Sequence, residues 1–110
     1  MNNPALEQFT DDNYEHEVLA SPLPTLVDFT AAWCAPCRVL APQVDAVAEQ
    51  YAGRIRVGQC DVDLNQITAT RYLVRAMPTL LMFKDGKVVG QIVGAVPRSK
   101  IEALVEKALG

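Results

Sequence analysis

The sequence predicts an α/β fold, a single mixed β-sheet flanked by helices on both faces, and three observations carry the prediction. A short apolar run, Thr25-Leu26-Val27-Asp28-Phe29-Thr30, leads directly into a helical stripe. A second apolar run follows around Ile55 and Val57. Two further runs flank Lys84-Asp85-Gly86-Lys87, and Asp-Gly between apolar runs is a strong hairpin signal. Strand-helix-strand followed by a hairpin makes the sheet mixed, and inner strands this apolar need cover on both faces.

In chain order, Thr10-Asp11-Asp12 reads as a helix start, with the helix running to about Leu19 and stopping at Ser21-Pro22. Residues 25–30 form a buried strand. The next helix begins near Cys34 and ends at Gly53. Leu40, Val44, Val47 and Tyr51 repeat as one buried stripe, and Pro42, which removes a backbone donor, is expected to kink it. Residues 54–63 give a second inner strand around Ile55, Val57 and Val62. A shorter helix spans 65 to about 74 with Asn65 as its cap. Residues 79–83 and 88–93 are the hairpin strands. Ser99 and Glu102 make a capping box, and Ile101, Leu104, Val105 and Ala108 give the closing helix one apolar face. No repeat, low-complexity tract or linker interrupts the chain. Its 110 residues are expected to form one domain, 1–110, around one core.

Half of the residues are apolar, 21% are charged and the net charge is −3, which argues against nucleic acid or an anionic membrane as partner. The start, MNNPALEQFTDDNYEHEVL, has neither a basic n-region nor an apolar h-region, so no secretory signal and a cytoplasmic location are expected. No apolar run approaches the roughly 20 residues that span a bilayer. The three cysteines, Cys34, Cys37 and Cys60, are too few and odd in number for a secreted disulfide framework.

Trp33-Cys34-Ala35-Pro36-Cys37 carries the chemistry. Cys34 follows a strand that runs into a helix, so it stands at a helix N-terminus, where free N–H groups and the macrodipole favour an anion. A thiol of ordinary pKa, about 8.5, is roughly 3% thiolate at pH 7; lowering it to about 7 gives half. Pro36 falls in the first turn, where its missing N–H costs nothing. Cys37, three residues on, is within disulfide reach of Cys34. So short a loop staples little, which makes a structural disulfide the weakest reading. A zinc set of Cys34, Cys37, Cys60 and His16 lacks the second knuckle of a structural site. Redox chemistry is the reading that remains.

Those residues, with Val27-Asp28-Phe29 upstream and Met77-Pro78-Thr79 and Val93-Gly94-Ala95 downstream, make the chain resemble the thioredoxin family from about Leu6 to Leu109. The resemblance implies a thiol-disulfide oxidoreductase of electron transport and cell redox homeostasis. It needs no metal or organic cofactor, because the redox group is the Cys34–Cys37 pair. Cys34 is implied as the attacking thiol, Cys37 as the resolving one, and Asp28 as a buried acid that accepts a proton. Burial should raise the pKa of Asp28 toward neutrality. Pro78 is implied to be cis and to face the cysteines, with the Met77 backbone pairing with an extended substrate segment. Trp33, Ala35, Pro36, Val62, Met77, Pro78, Val93, Gly94 and Ala95 are implied as one docking patch, Gly94 leaving room for a substrate backbone. Partners are then disulfide-containing proteins and a thioredoxin reductase-type electron donor, with the protein itself a monomer. Cys60 reads as a buried hydrophobe and His16 as a surface residue.

The chain departs from the family's commonest residues at four places. Ala35 replaces a glycine, Thr30 stands where many members carry tryptophan, Ala32 where some carry glutamate, and Gln59 where a lysine often neighbours the acid. Without that lysine the acid should keep a higher pKa. Reduction of protein disulfides is the expected function. The alternatives are an oxidant or isomerase of the same fold, and a chaperone or binding subunit in which the cysteines are dispensable.

Overall fold

The computed structural model of the chain describes residues 6–110. The absence of a secretory signal was read in part from residues 1–5, which lie outside those described. Five strands, β1 (Leu6–Gln8), β2 (Thr25–Thr30), β3 (Arg56–Asp61), β4 (Thr79–Lys84) and β5 (Lys87–Val93), form one sheet in the order β1-β3-β2-β4-β5. β1 and β2 run parallel to β3, while β4 is antiparallel to both β2 and β5. The sheet is therefore mixed, as the sequence predicts.

Alternation along the inner strands sorts the core into two halves. Leu26, Val57, Leu80 and Met82 face α1 (Ala35–Gln50) and α3 (Arg98–Leu109), packing on Leu40, Val44, Val47, Ile101, Val105 and Ala108. Val27, Phe29, Cys60, Leu81 and Phe83 face the opposite way, onto Phe9, Tyr14 and Val18, with Tyr72 at the edge. Tyr14, Tyr72 and Phe83 meet edge to face, with ring centroids 5.3 to 6.2 Å apart, an arrangement the ring quadrupoles favour. Helical segments thus cover both faces.

Several boundaries differ from expectation. The helix expected over 10–19 is a turn followed by a short π-helical segment, Glu15–Leu19, whose i to i+5 bond runs from the Ala20 N–H to the Glu15 carbonyl. The helix after the cysteines ends at Gln50 rather than Gly53, and it passes through Pro42 without a break. The second inner strand spans Arg56–Asp61, inside the expected 54–63. β1 is not foreseen, because three residues with one apolar side chain carry no pattern.

Two expected caps are also replaced. Asn65 precedes α2 (Gln66–Arg71) but does not cap it with its side chain. Its amide carbonyl instead accepts from the Asp11 N–H, while the Asp11 carboxylate accepts from the N–H groups of Ile67 and Thr68 and from the Thr68 hydroxyl. These bonds, the Thr68 hydroxyl first, hold the Asp11 carboxyl below its ordinary pKa. The capping box at Ser99 is not formed. α3 starts two residues earlier than that cap implies, at Arg98, with extended Pro97 at its cap position and no side-chain cap bond. The Asp85-Gly86 turn is as expected: φ is 53° and 77° at the two residues, the positive pair a tight two-residue hairpin requires.

Candidate active site

β2 ends at Thr30, and after a four-residue turn α1 begins at Ala35. Cys34 is the cap residue of that helix in extended conformation, and its Sγ accepts from the Cys37 N–H at 3.2 Å. Pro36 lies in the first turn, where no backbone donor is lost. Cys34 and Cys37 are joined as a disulfide with Cα atoms 5.3 Å apart, and both are almost fully buried. Ala31 packs with them, and Val62 and Met77 close over the cluster from the turn after β3 and the loop before β4.

The Met77–Pro78 peptide bond is cis. The Pro78 carbonyl accepts from the Gly94 N–H at 2.8 Å, so the loop before β4 and the end of β5 are tied together beside the cysteines. Gly94 has φ 95°, and a Cβ there would meet nothing within 4 Å. Its own backbone therefore demands glycine, and the space above it is open. Trp33 is 63% exposed, and its Nε1 donates to Asp63 at 2.8 Å. Ala35, Pro36, Val93 and Ala95 are exposed as well, whereas Pro78 is buried.

Asp28 lies on the α1 side of β2, in register with Gln59 of β3 and Leu80 of β4. It is 2% exposed, and one carboxylate oxygen has no hydrogen-bond partner. Burial, and then the charge of Asp45, raise its pKa from 3.8 to about 7. Asp28 and Cys37 both line a cleft of about 280 Å³, with Thr30, Arg38, Gln59 and Asp61 among its other walls. Thr30 and Gln59, two of the family departures, are thus neighbours of the acid. No cation stands at 59, in keeping with the raised pKa.

Sequence reasoning missed Asp45 and Arg38. Asp45 follows Cys37 by two helical turns, a periodicity that would have placed both on neighbouring rows of α1. Arg38 donates to the Ala32 carbonyl at 2.9 Å, spanning from helix to turn at the cleft. The zinc set does not assemble: among the described residues no three His, Cys, Asp or Glu side chains are placed to hold a metal ion. Cys60 is fully buried in the opposite core half, and burial pushes its thiol up to about 12. His16 is exposed and bonds Glu17. Among the described residues, no helix is long and apolar enough to cross a membrane.

The thioredoxin family model matches residues 5–107. Thioredoxin C-2 of Corynebacterium nephridii is 47% identical over 98 residues, 89% of this chain and 91% of its own length. Thioredoxin 1 of Nostoc sp. is 47% identical over 105 residues, 96% of this chain and 98% of its own. The thioredoxin of Synechocystis sp. is 45% identical over the same coverage. With a cysteine pair at disulfide distance on a mixed five-stranded sheet, the chain belongs to the thioredoxin family and is a thiol-disulfide oxidoreductase.

Proposed function

We propose that this protein reduces disulfides in other proteins and is itself re-reduced by a separate thioredoxin reductase-type enzyme in the cytoplasm. The observation that carries the reading is the asymmetry of the pair. Cys34 is the helix cap whose sulfur accepts a backbone N–H, while Cys37 shares a cleft with a buried acid.

In the dithiol form the Cys34 thiolate attacks one sulfur of a substrate disulfide. A Cys34–substrate disulfide forms and the substrate's other sulfur leaves as a thiolate. Cys37 then gives its proton to the Asp28 carboxylate, directly or through a water in the cleft, and attacks the Cys34 sulfur. This forms Cys34–Cys37 and releases the second substrate thiolate. Two electrons pass from the pair to the substrate, and the reductase returns two. An acid with pKa about 7 is about half ionised at neutral pH, so it can both take and release that proton.

We take Trp33, Ala35, Pro36, Val62, Met77, Pro78, Val93, Gly94 and Ala95 as the docking patch for a polypeptide, with the Met77 backbone pairing with an added strand. The packing of Val62 and Met77 on the cysteine cluster and the cis bond at Pro78 support it. Two measurements test the proposal. Reduction of a disulfide-containing model protein, with a coupled reductase supplying electrons, should be catalytic. In glutathione buffer at about −220 to −260 mV the pair should stand largely oxidised. A pair that stays reduced at about −180 to −210 mV would replace the reductase with an oxidant.

A further inference from the structure

Residues 72–76 connect α2 to the loop before the cis bond and carry the exposed side chains of Leu73 and Arg75. Leu73 has φ 55° because it closes α2: its N–H donates to the Thr70 carbonyl and the Val74 N–H donates to the Ala69 carbonyl. The turn leaves the leucine side chain 69% exposed. Arg75, two residues on, is also exposed and, among the described residues, forms no ion pair. Arg71 differs: it reaches Glu15 at 3.6 Å and lies over the rings of Tyr14 and Tyr72.

Leu73 and Arg75 line a depression of about 170 Å³ that reaches Leu81 and is walled by Gln91 and Val93 of β5. The depression adjoins the cis bond: Ala76 and Thr79, on either side of Met77-Pro78, line it, and Met77 packs on the cysteine cluster. Asp61 ends β3, and Asp63 follows in the turn, where it accepts from the Trp33 indole. The docking face is therefore negative there and positive at Arg75.

We propose that this depression is a specificity subsite for the polypeptide being reduced, selecting segments in which an acidic residue adjoins an aliphatic one. The assignment rests on the protein-disulfide reductase reading. A segment that adds to the Met77 backbone reaches the depression, because Ala76 before Met77 and Thr79 after Pro78 both line it. Its aliphatic side chain covers Leu73 and Val93 and excludes water from both. Its carboxylate meets the guanidinium, whose planar fork suits that group. Asp61 and Asp63 repel the same carboxylate, so charge fixes which way the segment lies.

The test uses four disulfide-cyclised peptides of one sequence, with Leu-Asp, Gly-Asp, Leu-Lys or Gly-Lys flanking the attacked cysteine on both sides. The reduced full chain is mixed in equal amount with each, and the second-order rate constant of its oxidation is compared as ratios within one variant, so partial loss of folding cancels. The wild type should prefer Leu-Asp over Leu-Lys by about threefold, the scale of an exposed ion pair. Arg75→Glu should invert that ratio. Leu73→Asn, which suits the same φ but removes the aliphatic surface, should abolish the preference for Leu over Gly and keep that for Asp over Lys. A wild type that reduces all four peptides equally overturns the subsite and leaves the reductase reading standing, as does Arg75→Glu that still prefers Asp. A wild type that reduces neither these peptides nor a small aromatic disulfide overturns both.

Discussion

Replacing Asp28 with asparagine should stabilise the protein above neutral pH while slowing turnover, and the structure sets the size of the first effect. A carboxyl whose pKa rises from 3.8 to about 7 on folding prefers the neutral form in the native state. At about 1.36 kcal/mol per pKa unit, keeping it ionised costs the fold roughly 4 kcal/mol. The sign follows from proton counts. Between pH 4 and 7 the native protein holds a proton that the unfolded chain has lost, so stability falls as pH rises. Below pH 4 both states are protonated and the cost vanishes; above pH 7 both are ionised and the cost is complete. Asparagine carries no charge, but its amide inherits a position with an unpartnered oxygen, which takes back about 1–3 kcal/mol. Asp28→Asn should therefore gain about 1–3 kcal/mol at pH 8.5 and lose about 1–3 kcal/mol at pH 4, where only the amide penalty remains. Urea unfolding of the oxidised protein at both pH values measures this. A variant that is no more stable than wild type at pH 8.5, or that keeps the wild-type decline between pH 4 and 7, would refute the burial argument. An unchanged pH–rate profile would separately refute the proton-transfer role.

Cys34→Ser should abolish turnover, whereas Cys37→Ser should accumulate stable mixed disulfides with substrate, visible as a mass adduct; the opposite pattern would reverse the two roles. Cys60→Ala should keep most activity and lose about 1 kcal/mol of stability to the small void it leaves, read from the urea midpoint. Gln59→Lys places a cation in register with Asp28, so the pH midpoint of mixed-disulfide resolution should move below that of wild type in stopped-flow measurements. An unmoved midpoint would mean that the titrating group is not Asp28.

The parts of the fold legible in the sequence were those written as long patterns. β2 and β4 read as apolar runs because both faces are covered, and Asp85-Gly86 read as a turn because few residues accept two positive φ values in succession. What failed was local inference about ends. Asn65 and Asp11 each satisfy a backbone donor in the other's segment, so the cap of α2 comes from 54 residues earlier and no window around Asn65 could find it. Ser99 lost its capping role because Pro97, with φ −62° and ψ 152°, already ends the extended segment. At the site, the cysteine pair was legible from its spacing together with its place at a strand-to-helix junction. The electrostatic partner of Asp28 was not, because Asp45 reaches it through tertiary packing of α1 on the sheet.

The departures from the family's commonest residues act together through that packing. A helix N-terminus stabilises the Cys34 thiolate, and stabilising a thiolate favours the dithiol and makes a pair more oxidising. That influence alone would work against a reductant. The opposing influence is the charge of Asp28, which once ionised disfavours a thiolate at Cys37, the cysteine that shares its cleft. With the carboxyl buried, Asp45 nearby and no cation at 59, ionisation is delayed to about pH 7 instead of being complete well below it. The pair is therefore under two opposed fields, one fixed by the helix and one that switches on across the neutral range. Relative to glutathione at the same pH, the pair is therefore expected to become the stronger reductant as the pH rises through about 7, and an unchanged relative potential between about pH 6 and about pH 8 would refute the opposing field.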